Sequence, residues 1–240
     1  MSLNTPPHLF CFGHRGARGH EPENTLRSVR RALDLGAPGI EVDVYCVENR
    51  LVVIHDDTLE RTTNGRGRVM QQSFAHLRSL DAGRGEKIPT LEEIIHGVAH
   101  RALINVELKG PGTAAPVVAL IGRYVREQGW RPDEFLVSSF DHAQLTAARA
   151  LSADLPLGVL FEKLPARPFQ LAEKLRARSV HPPWKAVTAP FVQAAHRRGL
   201  KVFAYTVNRP GDIARVRRLG VDGVFSDYPE RVPLHEPNLS

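Results

Sequence analysis

The chain has 240 residues, 42% of them hydrophobic, which suits one large α/β domain better than two small ones. Its formal charge of +6 predicts attraction to anions, but the arginines are scattered and only four tyrosines and two tryptophans are available to stack bases, so no nucleic-acid partner is expected. The longest apolar run falls short of the roughly 18 residues of a membrane span, and no leader-like segment precedes His14. A cytoplasmic protein without stable membrane insertion is expected, and Cys11 and Cys46, both in strand-like segments, read as unpaired thiols.

In chain order, short β-branched or apolar runs alternate with segments of helical period. Strands are predicted at 8–13, 39–44, 102–108, 135–139, 157–161, 178–181, 201–206 and 223–226. The first helix follows Asn24, read as its cap, with Leu26, Val29 and Leu33 on one face, Arg27, Arg30 and Arg31 toward water, and Gly36 as its stop. Further helices are predicted at 91–98, 115–127, 142–151, 169–175, 190–198 and 210–219. Eight strand and crossover units in this length make a (β/α)8 TIM barrel. A doubly wound open sheet is the rival, but no Gly-x-Gly-x-x-Gly follows the first strand. The connection at about 47–90 is far longer than a barrel loop needs and predicts a small insertion or lid after strand 2.

Barrel strands deliver their C-terminal residues to one shared mouth. The first strand ends in His14 and Arg15, and the second carries Glu41 and Asp43, whose i, i+2 spacing puts both carboxylates on one side. The third repeats that spacing with Glu107 and Lys109. Three carboxylates from adjacent strands repel one another unless a cation neutralises them. Ion pairs with arginines are the structural alternative; one divalent metal with all-oxygen ligands, Mg2+ or Ca2+, is the functional one. His14 and His55 are imidazoles suited to taking and giving the protons of phosphodiester cleavage. Arg15 can clamp non-bridging phosphate oxygens in its planar fork, and Lys109 adds a point charge.

The stretches His14-Arg15-Gly16, Pro22-Glu23-Asn24-Thr25, Glu41-Val42-Asp43-Val44, Val53-Ile54-His55-Asp56, Asn105-Val106-Glu107-Leu108-Lys109, Tyr205-Thr206-Val207-Asn208 and Ser226-Asp227-Tyr228-Pro229 run in order along nearly the whole chain. Together they resemble the glycerophosphodiester phosphodiesterases. The resemblance implies one barrel domain over 1–240, with the segment after His55 as the family's insertion. His14 and His55 would be the acid/base pair, Glu41, Asp43 and Glu107 the metal ligands, Arg15 the phosphate contact and Lys109 an electrostatic stabiliser. The implied reaction hydrolyses a small-molecule glycerophosphodiester to glycerol 3-phosphate and an alcohol, with the glycerol 2-hydroxyl attacking first and water opening the cyclic phosphate. A monomer or homodimer is expected.

Tyr205 stands where many relatives carry tryptophan, adding a hydroxyl to the site. Phe140, Phe161 and Tyr205 are the expected pocket walls, with a core position as the alternative for Phe161; His181 and Lys163 also fall at strand ends. Three other functions use the same residues: a lysophospholipase D acting on lysophospholipids, a metal-free aldolase with Lys109 as Schiff base, and a phosphate-ligand binder without turnover.

Overall fold

The structure, a computed structural model, describes residues 9–232. Nine strands form its sheet: β1 (Phe10–Gly13), β2 (Gly39–Val47), β3 (Arg50–Val53), β4 (Leu103–Leu108), β5 (Phe135–Ser139), β6 (Leu157–Leu160), β7 (Ser179–His181), β8 (Lys201–Ala204) and β9 (Gly223–Ser226). All except β3 are parallel to their neighbours, and β1 pairs with both β2 and β9, so eight strands close into a barrel. The helices are α1 (Leu26–Asp34), α2 (Phe74–Ser79), α3 (Leu91–Val98), α4 (Ala114–Glu127), α5 (His142–Leu151), α6 (Gln170–Lys174), α7 (Ala189–His196) and α8 (Pro210–Arg218). The expected (β/α)8 barrel is thus the observed one. Among the described residues no helix is long and apolar enough to cross a membrane.

The predicted elements shift mainly at their ends. Strand β1 begins at Phe10, and the predicted start at His8 lies outside the described residues. The cap of α1 is Thr25, not Asn24: the Thr25 hydroxyl accepts from Ser28 N, and Ser28 Oγ accepts in turn from Thr25 N, a reciprocal box. Asn24 is one residue too early for that geometry and turns its amide into the barrel instead. Strand β2 runs three residues past its predicted end because β3 folds back on it as an antiparallel hairpin, Val44 opposite Val53. That hairpin opens the long insertion, which encloses its own small core of Tyr45, Val52, Leu59, Leu77, Leu80 and Ile88. After β9 the chain makes a single 3₁₀ turn, Pro229–Arg231.

Period-two alternation divides the strands between two cores. Ile40, Val42 and Val44 of β2 pack outward with Ile104 and Val106 of β4 under the helices. Inward-facing Phe12, Leu136, Phe203 and Phe225 plug the barrel, with Phe12 and Phe225 stacked at 4.8 Å. The fit is close: a Cβ on Gly39 would lie 2.6 Å from the Phe12 ring. Above this plug the inward positions turn polar, and the site begins there.

His181 also points inward, fully buried between the rings of Phe203 and Phe225, with Nε2 on Ser179 Oγ at 2.8 Å. Burial pushes its pKa down to about 3. Between the unfolded value near 6.5 and about 3 the unfolded chain binds a proton that the folded one refuses, so acid erodes stability in that window. The His181→Leu variant should gain on the wild type by up to about 1.4 kcal/mol per pH unit as pH falls below 6.5. A stability difference, from urea unfolding, that stays flat between pH 7 and pH 4.5 would refute this.

Candidate active site

At the C-terminal mouth of the barrel lies a cavity of about 220 Å³ whose lining includes His14, Arg15, Glu41, His55, Glu107, Phe140 and Tyr205. All seven belong to the nine residues singled out in the sequence; the other two, Asp43 and Lys109, touch them from just beneath and beside. The register explains the grouping. Glu41 sits opposite Asn105 and Asp43 opposite Glu107 across β2 and β4, so three carboxylates stack on the inner face of two adjacent strands. One oxygen from each of Glu41, Asp43 and Glu107 lies within 4.8 Å of the others.

These carboxylates are poorly compensated by the protein. Glu41 is 2% exposed; one oxygen accepts Arg15 N at 2.8 Å, and Oε1 has no hydrogen-bond partner. Burial, reinforced by Asp43 and Glu107, drives the Glu41 carboxyl well above its ordinary range. Burial and Asp43 push Glu107 up to about 7 despite Lys109 Nζ at 2.9 Å. Arg15 Nε reaches Asp43 at 3.3 Å and Lys109 Nζ lies 3.8 Å from it, so the ion-pair alternative accounts for part of the charge only. An orphaned buried carboxylate oxygen and a clustered all-oxygen donor set fit a hard divalent cation.

Arg15 is held in place by its backbone. It adopts φ 53°, a left-handed conformation costing an L-residue about 1–2 kcal/mol. The strain is retained because Arg15 N donates to Glu41 while its carbonyl accepts from Asn24 N at 3.0 Å and Ser28 Oγ at 2.8 Å. Gly16 must follow: a Cβ there would sit 2.5 Å from the Ser28 carbonyl carbon. Asn24, the misassigned cap, donates to Asp43 Oδ2 at 2.9 Å and accepts from Asp43 N at 3.2 Å, tying this loop to β2.

Each histidine is backed by a carboxylate. His14 Nδ1 lies 2.6 Å from Asp227 Oδ1, and Asn208 Nδ2 donates to the other Asp227 oxygen at 2.8 Å. His55 Nδ1 lies 2.6 Å from Asp56 Oδ1, which Arg61 of the insertion also grips. Arg61 makes two 2.8 Å bonds to Glu23, and Glu23 in turn accepts from Arg15 at 2.6 Å. Although burial opposes it, these guanidinium bonds, Arg61 first, hold Glu23 down to about 2. Glu23 therefore joins the Arg15 clamp to the His55 end of the site. Burial lowers the pKa of both imidazoles, with Asp227 opposing it at His14 and Asp43 at His55. Burial also disfavours charge on Lys109, but Glu107 and Asp43 outweigh it, so Lys109 is protonated, 3.3 Å from His55 Nε2.

Asp227, Asn208, Glu23 and Arg61 are functional neighbours to which the sequence motifs alone assign no role. Asp227 lies just past the end of β9 and Asn208 four residues past β8, while Arg61 lies in the stretch 59–65, which shares in the family resemblance. Two expectations change. Phe161 is a core residue, 5% exposed among the helices, and is absent from the cavity. The Tyr205 hydroxyl donates to the Phe161 carbonyl, so the added polar group is spent on the backbone and the ring remains as wall. His181 lies buried beneath, and Lys163 is exposed.

A parallel barrel with acidic residues and carboxylate-backed imidazoles at its C-terminal mouth defines a hydrolytic barrel enzyme. Residues 14–231 match the model of the glycerophosphoryl diester phosphodiesterase family. A glycerophosphodiester phosphodiesterase of Caldanaerobacter subterraneus is 35% identical over 92% of this chain and 95% of its own length, and one from Bacillus altitudinis is 36% identical with the same coverage. The solved structure of an Oleispira antarctica phosphodiesterase, in complex with the product sn-glycerol-3-phosphate, is 32% identical, covers 93% of this chain and 94% of its own, and superposes with a TM-score of 0.84. The chain belongs to the glycerophosphoryl diester phosphodiesterase family and is a phosphoric diester hydrolase.

Proposed function

We propose that this protein hydrolyses small glycerophosphodiesters to glycerol 3-phosphate and an alcohol, by proton transfer at His14 and His55 beside a single divalent cation, Mg2+ or Ca2+. The observation that carries this reading is the pairing of two carboxylate-backed imidazoles with a three-carboxylate cluster around one cavity. Glu41, Asp43 and Glu107 would hold the cation, which when bound supplies Lewis acidity at a phosphoryl oxygen and lowers the pKa of an adjacent hydroxyl.

The Lys109 ammonium facing His55 Nε2 favours the unprotonated ring, which suits His55 to take the proton from the glycerol 2-hydroxyl. That oxygen forms a bond to phosphorus as the bond to the departing alcohol breaks, and His14 gives the alkoxide its proton. Water then opens the cyclic phosphate with the two proton transfers reversed. Asp227 and Asp56 fix the tautomers through Nδ1 and stabilise each ring when it is charged. Arg15 and Lys109 gain in strength as charge builds on the phosphoryl oxygens. The test is glycerol 3-phosphate release from glycerophosphodiesters, with release stopped by chelator and restored by Mg2+ or Ca2+. Full activity of the chelated protein would overturn the metal part of this reading, and absence of release with either metal would overturn the whole.

A further inference from the structure

Chemistry at phosphorus leaves one wall of the cavity without a task. Phe140 and Tyr205 meet there edge to face, ring centroids 5.8 Å apart at 88°, with Leu160 and Phe225 beside them. Because the Tyr205 hydroxyl is committed to the Phe161 carbonyl, that corner offers ring faces and little hydrogen bonding. A polyol would lose hydration there with little return, whereas a cation is attracted by the negative faces of the rings. Phe140 already has the Lys109 ammonium 5.8 Å from its ring centroid.

The next residue after Phe161 is Glu162, which is exposed and makes no hydrogen bond or ion pair with any described residue. It lies within electrostatic reach of the corner: after burial and Glu107, its charge helps to hold the Tyr205 phenol above its ordinary value. The geometry points to a subsite in which the Phe140–Tyr205 corner, with Glu162 at its rim, binds a leaving alcohol carrying an alkylated ammonium group. This rests on the phosphodiesterase reading above and adds the class of its preferred substrate. Lys109, already against the Phe140 ring, and Lys163, exposed beside Glu162, are the competing charges and would favour an anionic alcohol.

The test compares kcat/KM of the full chain, with saturating Mg2+ or Ca2+, on glycerophosphocholine, glycerophosphoinositol and glycerophosphoserine. Glycerophosphocholine should lead glycerophosphoinositol by about tenfold, in keeping with a desolvated cation–π contact. Glu162→Gln and Phe140→Leu should each shrink that ratio by about threefold or more. Equal constants, a ratio unmoved in both variants, or a lead for glycerophosphoserine would overturn the subsite while leaving the hydrolysis intact. No glycerol 3-phosphate from any of the three would overturn the phosphodiesterase reading along with it.

Discussion

Alanine at either His14 or His55 is expected to lower kcat by about 10²–10⁴-fold while leaving the fold intact. Each imidazole reaches the cavity from a backbone held independently of it: the His14 N–H donates to Ser226 O at 2.9 Å, and Ile54 N, just before His55, donates to Asp43 O at 3.0 Å. Each ring also leaves its carboxylate other partners, Asn208 for Asp227 and Arg61 for Asp56, so no orphaned buried charge remains after truncation. Melting temperatures should therefore stay within a few degrees of wild type, about 1 kcal/mol in a chain of this length. Asp227→Asn should lose less than His14→Ala, because the ring remains but its tautomer and charge are no longer enforced. Near-wild-type turnover in both alanine variants, measured as glycerol 3-phosphate release, would exclude proton transfer by these residues.

Glu41→Gln should abolish turnover and at the same time stabilise the chelated protein. The reason is electrostatic: three carboxylate oxygens within 4.8 Å repel one another in a buried setting, and Glu41 carries the unpartnered atom. For Glu107 the folded pKa near 7 exceeds the usual 4.5, so the folded protein binds the extra proton and loses stability as pH rises from 4.5 toward 7. A divalent cation removes that penalty. Wild-type melting should rise on adding Mg2+ or Ca2+, by roughly 5–10 °C at a hundredfold excess over Kd, and the rise should be larger at pH 7.5 than at pH 5. In Glu41→Gln the chelated protein should melt above chelated wild type and respond little to either ion. Differential scanning calorimetry separates the outcomes: a wild type indifferent to both metals, or a Glu41→Gln variant that melts lower than wild type in chelator, would remove the carboxylate cluster as the cation site.

Local rules made much of this protein readable from its residues. Inward placement of Glu41, Asp43 and Glu107 follows from a period of two along strands, which needs no knowledge of neighbours. The helical faces of α1 follow from a period of 3.6 and are occupied as expected, Val29 and Leu33 buried and Arg27 and Arg30 exposed. What these rules cannot specify is which charged side chains meet. Asp227 supports His14 across 213 residues because closing the barrel sets β9 against β1, and nothing near either residue encodes that pairing. Arg61 reaches Glu23 across 38 residues only because the insertion folds over its own small core beside the mouth. The same limit applies to Phe161 and Tyr205: both are aromatics at strand ends, and only the packing shows that one ring joins the core while its carbonyl takes the hydroxyl of the other. Periodicity and turn chemistry act between near neighbours and so assign elements and faces, whereas partners depend on barrel closure, a property of all eight strands together.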